Sequence, residues 1–162
     1  MTKNIAMRIM YDGTNYHGWQ RQKNGITIQE TVEETLSRLT GRFGRNIEID
    51  GASRTDAGVH ALDFVFHFRS DTEIPVEKLP YALNYHLGLD ISALEAWEEK
   101  ESFNARFSAK GKRYIYRIWN AKTRNPFLSK YSWHIPYYLN VLAMEQAASF
   151  FEGTHDFAGF MA

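Results

Sequence analysis

The sequence contains no cysteine, which excludes a disulfide framework, a cysteine-based zinc site and a thiol nucleophile. It has only four prolines and no low-complexity tract, repeat or flexible linker to divide it. No apolar run is long enough to span a bilayer, and Arg8 and Asp12 interrupt the N-terminal apolar stretch before it reaches the length of a signal-peptide core. A cytoplasmic protein without a membrane partner is the expectation. Excess charge of either sign is also lacking: the formal net charge is zero over 162 residues, which by itself argues against a polyanionic partner. What is present is core material. At 44% hydrophobic and 15% aromatic, the chain has enough for one domain, or for two small domains packed together.

The zero net charge conceals sorting. Residues 102–144 contain no Asp or Glu but carry Arg106, Lys110, Lys112, Arg113, Arg117, Lys122, Arg124 and Lys130. Residues 71–101 are acidic, with Lys78 and Lys100 their only Lys or Arg. Such sorting can present a positive face on a neutral protein. Lysines guarding a solvated strand edge would also produce it, but that reading leaves unexplained why aromatic residues interleave with the bases in KRYIYRIW.

Periodicity predicts the elements. Lys3 to Tyr11 reads as a strand with Ile5, Met7 and Ile9 on one face. The following YDGTNYHGWQRQ is too rich in Gly, Asn and Asp for a helix. Thr27 and Glu30 form a capping box, Ile28, Val32, Leu36 and Leu39 recur at helical spacing, and Gly41 is placed to end that helix. Strands are expected near residues 47–52 and 62–69, then an irregular turn at Pro75 and Pro80, and a short helix through Tyr85. A charged, edge-like strand should follow over residues 91–98. Residues 112–120 alternate as a strand, with Tyr114, Tyr116 and Ile118 on one face, and Asn140 should cap a last helix ending at Gly153. The mixture reads as α+β with a largely antiparallel sheet. Phe157 and Phe160, directly after that helix, want burial and have nothing following to provide it.

The link between the second and third strands is SRTDAGVH, residues 53–60. Asp, Ser and Gly are ordinary turn residues and Gly58 suits a positive φ, so a plain hairpin turn is one reading. The other is chemical. An aspartate on a turn between two strands is held as a nucleophile or base should be, and an ionised Asp56 can attack an electrophilic carbon. Arg54 could keep that carboxylate ionised or reach for a phosphate. A glycosidase would need a second acid, for which Asp12, Asp50 or Asp63 could be proposed, but the sequence fixes no separation. The six histidines show no metal-binding spacing, and no phosphate-cradling glycine loop occurs. No metal and no cofactor are expected.

YDGTNYHGWQRQ, SRTDAGVHA, FNARFSAKGKRYIYRI and GTHDFAGF, in this order, resemble the bacterial tRNA pseudouridine synthase A family along the whole chain. The resemblance implies an α+β pseudouridine synthase fold, a mostly antiparallel mixed sheet flanked by helices, built from two similar halves. Residues 1–104 would form the N-terminal half with the catalytic loop. Residues 105–162 would begin a C-terminal half that is incomplete here, because the family's chains continue past Ala162. It further implies isomerisation of uridine to pseudouridine in the anticodon stem-loop of tRNA. Asp56 would be the catalytic nucleophile, Arg54 would extrude the base or fill its space, Tyr114 would stack on the uracil, and Arg106 would contact RNA, with Lys112 and Arg113 as further contacts. A homodimer without cofactor is implied for the full-length protein. The competing expectation is a catalytically inactive homologue that only binds tRNA or helps it fold.

Overall fold

The computed structural model describes residues 2–40 and 46–161. It is α+β and divides into two compact units, Met1–Lys112 and Arg113–Ala162. The first carries a four-stranded antiparallel sheet in the order β2-β3-β1-β4, formed by β1 (Lys3–Tyr11), β2 (Ile49–Gly51), β3 (Ala61–Ser70) and β4 (Ile91–Glu99). Helices α1 (Ile28–Thr40), α2 (Leu79–His86) and the single turn α3 (Ala105–Ser108) complete it.

Register follows from the alternation. Ile5, Met7 and Ile9 of β1 lie opposite Phe68, Phe66 and Phe64 of β3, so one face of the sheet is continuous hydrocarbon. Ile28, Val32 and Leu36 of α1 and Leu79 and Leu83 of α2 join the same core, all fully buried. Burying a side chain of this size contributes roughly 1.5–3 kcal/mol. Thr27 starts α1 by accepting the Glu30 backbone N–H at 3.3 Å on its hydroxyl. Glu30 itself turns to Arg21, 3.5 Å away. The expected helix end at Gly41 lies outside the described residues.

Two links fix β2, and through it the loop that follows. The buried Glu33 carboxylate accepts the Ile49 N–H at 3.2 Å and the Gln29 amide at 2.9 Å, and the same Gln29 amide donates to the Ile49 carbonyl at 3.1 Å. On the opposite face of the sheet, Arg8 pairs with Glu95 at 3.1 Å. There α3 packs against β2 and β3, and its Ala105 N–H donates to His67 Nδ1 at 3.3 Å.

The second unit contains β5 (Ile118–Asn120), β6 (Trp133–Ile135) and α4 (Val141–Ser149). Asn140 caps α4 as expected, accepting the Ala143 N–H at 3.0 Å. The strand expected over residues 112–120 is corrected to Ile118–Asn120. Residues 112–117 are exposed on both alternating sets and have no ladder partner among the described residues, and alternation alone does not make a strand without one. The β5·β6 pair is parallel, and residues 121–132 supply the roughly dozen residues that a parallel crossover needs. Asn120 locks the pair from its side chain, donating to the Ile135 carbonyl at 2.8 Å. Phe157 and Phe160 remain 42% and 75% exposed and cluster with Phe151.

Candidate active site

Residues 53–60 are not a tight hairpin turn. The β2·β3 pairing runs from Ile49↔Phe68 to Gly51↔Phe66, while β3 extends back to Ala61 along β1. The connection is therefore a loop, turned by the Val59 N–H donating to the Asp56 carbonyl at 3.1 Å, with Gly58 at φ +78°. That positive φ matches the sequence expectation.

The Asp56 loop is held by the first loop, residues 12–22, at several points. The Trp19 N–H donates to the Thr55 carbonyl at 3.0 Å, and the Gly58 N–H to the Tyr16 carbonyl at 3.2 Å. The Tyr11 and Thr55 hydroxyls are 2.9 Å apart. His60 Nδ1 lies 3.0 Å from Asp12 Oδ1 and 3.1 Å from the Gly13 backbone nitrogen. Donating to the carboxylate or accepting from the amide, it anchors the loop's far end to the same turn.

Two glycines make the approach possible. A Cβ on Gly18, whose φ is +80°, would sit 2.3 Å from the Thr55 carbonyl oxygen, and one on Gly13 would sit 2.0 Å from that of Val59. No side chain fits at either position. Trp19, 1% exposed and with its ring centroid 4.1 Å from that of Phe64, connects this junction to the core.

Between the two loops lies a cleft of about 330 Å³. His17, Gln20 and Gln22 line it from the first loop, and Arg54, Thr55, Asp56 and Ala57 from the second. Arg54 and Asp56 are the site residues expected from the sequence; the glutamines and His17 are not, although their loop is one of the four stretches that carry the family resemblance. The glycines and aromatics of YDGTNYHGWQ were the available signal for a loop that another loop must approach closely.

The Asp56 carboxylate and the Arg54 guanidinium are both exposed. Neither forms a side-chain hydrogen bond or ion pair among the described residues. The expected alternative in which Arg54 holds the Asp56 charge is therefore not what the structure places there. An unpaired carboxylate on a braced loop can serve a substrate as nucleophile or base, and an unpaired guanidinium can take an anion or slide against a base.

The remaining residues are spread along the chain. Arg106 is on α3 in the first unit, where Asn104 accepts its backbone N–H at 3.0 Å and that of Phe107 at 3.2 Å. Its guanidinium stands 5.8 Å from the centre of the Phe107 ring. Lys112 ends the first unit, and Arg113 and Tyr114 open the second. All three are exposed, Tyr114 at 76%.

Two tyrosines at the junction of the two loops are shifted. Burial pushes the Tyr11 hydroxyl up to about 12, against a smaller lowering by its bond to Thr55. Tyr16 is also pushed up to about 12, first by burial and then by Asp90, whose carboxylate accepts its hydroxyl at 3.0 Å.

Residues 7–108, which hold both loops and Arg106, match the family model described as tRNA pseudouridine synthase. The chain belongs to that family. The tRNA pseudouridine synthase A of Thermoanaerobacter sp. (strain X514) is 50% identical over 160 residues, which cover 99% of this chain and 64% of that protein. The protein of the same name from Ruminiclostridium cellulolyticum is 46% identical over 160 residues, with the same coverage. That of Aquifex aeolicus is 41% identical over 154 residues, or 95% of this chain and 63% of the relative. The chain thus spans a little under two thirds of the length of these curated relatives. The segment matched by the family model ends before Lys112, so it takes in the cleft but not Arg113 or Tyr114.

Proposed function

We propose that this chain carries the catalytic loop of an enzyme that isomerises uridine to pseudouridine in the anticodon stem-loop of tRNA, with Asp56 as nucleophile. The observation that carries the reading is the unpaired Asp56 carboxylate in the cleft, on a loop braced by Trp19, Tyr16 and Tyr11. The family membership supports the substrate class.

The reaction is balanced without an oxidant. Over the whole reaction the bond from C1′ to N1 breaks, the bond from C1′ to C5 forms, C5 loses a proton and N1 gains one, while the bond that the Asp56 carboxylate forms to the nucleotide breaks again before the product leaves. A stacked uridine hides both reacting atoms, so it must leave the helix first. In this reading the free Arg54 guanidinium fills or forces the space that the base vacates, and Tyr114 stacks on the uracil, which is worth about 1–3 kcal/mol per base. Arg106, Lys112 and Arg113 contact RNA phosphates, and recognition rests on shape and backbone charge. The full-length protein works as a homodimer on cytoplasmic tRNA.

The test separates chemistry from binding. Asp56→Asn should keep its tRNA affinity within about twofold, because a neutral isostere removes no phosphate contact, while pseudouridine formation disappears. Equal turnover by both proteins would overturn the role of Asp56. Binding by both with turnover by neither would favour a protein that only binds tRNA.

A further inference from the structure

Tyr11 ends β1, touches the cleft-lining Thr55 and is 4% exposed. Its ring packs near Trp19 and Phe64, with centroids 6.3 and 5.8 Å away. A phenylalanine would fill that space equally well, so packing does not account for the hydroxyl. Among the described residues its one hydrogen-bond partner is the Thr55 hydroxyl at 2.9 Å. The phenol, raised by burial from 10.0 to about 12, is protonated at neutral pH as any tyrosine is, and a buried O–H must find an acceptor. If Thr55 were the donor, the phenol proton would be stranded in hydrocarbon. Either hydroxyl could donate across the 2.9 Å pair; the arrangement that leaves no proton stranded has Tyr11 donating and Thr55 accepting.

That direction has a consequence for Thr55. Its carbonyl is held by the Trp19 N–H, its Oγ1 receives the Tyr11 proton, and its own hydroxyl proton must point elsewhere. Thr55 is half-buried and lines the cleft beside Asp56. A substrate held in the cleft that Thr55 lines can supply the acceptor for that proton.

Resting on the function proposed above, we propose that Thr55 is a further catalytic residue: its hydroxyl, aimed by Tyr11 as a positioning residue, donates a hydrogen bond to a uracil carbonyl oxygen of the nucleotide held beside Asp56. As the bond from C1′ to N1 breaks, both of its electrons move onto the ring and negative charge builds on the carbonyl oxygens. A donor fixed in advance interacts more strongly with that state than with the resting uracil. No proton is transferred by Thr55, so the overall balance of the isomerisation is unchanged.

The experiment compares the wild-type chain with Tyr11→Phe, Thr55→Val, Thr55→Ser and the double variant Tyr11→Phe/Thr55→Val. Single-turnover pseudouridine formation is measured in unmodified tRNA, alongside tRNA affinity and thermal unfolding. Tyr11→Phe and Thr55→Val should each slow the chemical step about tenfold with affinity unchanged, and Thr55→Ser should retain most of the rate. The double variant should be no slower than the slower single one, because both changes cut the same relay. A purely structural role would lower the unfolding temperature and leave the rate of the folded protein alone.

Carbon-13 NMR of the Tyr11 Cζ reports the pair independently of turnover. The signal should shift in Thr55→Val and return in Thr55→Ser. An unmoved signal, or wild-type turnover in Tyr11→Phe, overturns this proposal alone. Absence of turnover in the wild-type chain overturns the catalytic reading of the cleft together with it.

Discussion

The backbone amide of Trp19 donates to the carbonyl oxygen of Thr55 at 3.0 Å. One of the most buried rings in the protein is thereby tied to the residue preceding Asp56. The cleft is built where these two loops meet, and the Asp56 loop is held there by backbone contacts to Trp19 and Tyr16, by the Tyr11–Thr55 hydroxyl pair and by the His60–Asp12 contact.

Close approach at that junction makes Gly18 sensitive. Gly18→Ala would place a Cβ 2.3 Å from the Thr55 carbonyl at a φ of +80°, at a cost of about 1–3 kcal/mol. It should lower the thermal midpoint and pseudouridine formation together. Gly111→Ala, where a Cβ meets nothing within 4 Å, should change neither; calorimetry and the turnover assay on the two variants check this.

Arg54 should separate stability from function. Its guanidinium has no partner among the described residues, so Arg54→Ala should leave denaturant unfolding within about 0.5 kcal/mol of wild type. Turnover should fall markedly. A large loss of stability would show that the side chain is structural.

In the core, Leu36 is fully buried against the sheet. Leu36→Ala should destabilise by about 2–5 kcal/mol, read from the urea midpoint with the m-value unchanged.

The sequence periodicities were sufficient for β1, α1, β3 and β4, because Ile5, Met7 and Ile9, or Ile28, Val32 and Leu36, can reach a core on one face only. The positive φ of Gly58 was legible for the same local reason. Residues 112–117 were misread, since their alternation is real but a strand also needs a partner that sequence does not display. The cleft was half legible. Asp56 and Arg54 lie in one short motif, whereas the contacts of Thr55 with Tyr11 and Trp19 join residues far apart in the chain, and no local pattern encodes them.

Alkaline pH should destabilise the first unit by way of its tyrosines. Tyr11 and Tyr16 have an ordinary value of 10.0 and are raised to about 12 in the fold, so between those values the folded state holds protons that the unfolded chain has released. Their stabilisation is complete below pH 10 and is lost as pH rises toward 12, by at most about 1.4 kcal/mol per pH unit for each tyrosine. Tyr11→Phe should flatten that decline in a pH series of urea midpoints.

Charge contacts to RNA should appear in salt dependence. Arg106→Ala should weaken tRNA binding regardless of the sequence around the target and reduce the slope of log Kd against log salt by about one. An unchanged slope would remove Arg106 from the interface.

The central claim is that Asp56 performs the isomerisation. The most direct measurement is nucleotide-resolution mapping of pseudouridine in unmodified tRNA incubated with excess wild-type chain or with Asp56→Asn. The account predicts product confined to the anticodon stem-loop with the wild type and none with the variant. Product of equal yield from both proteins would contradict it.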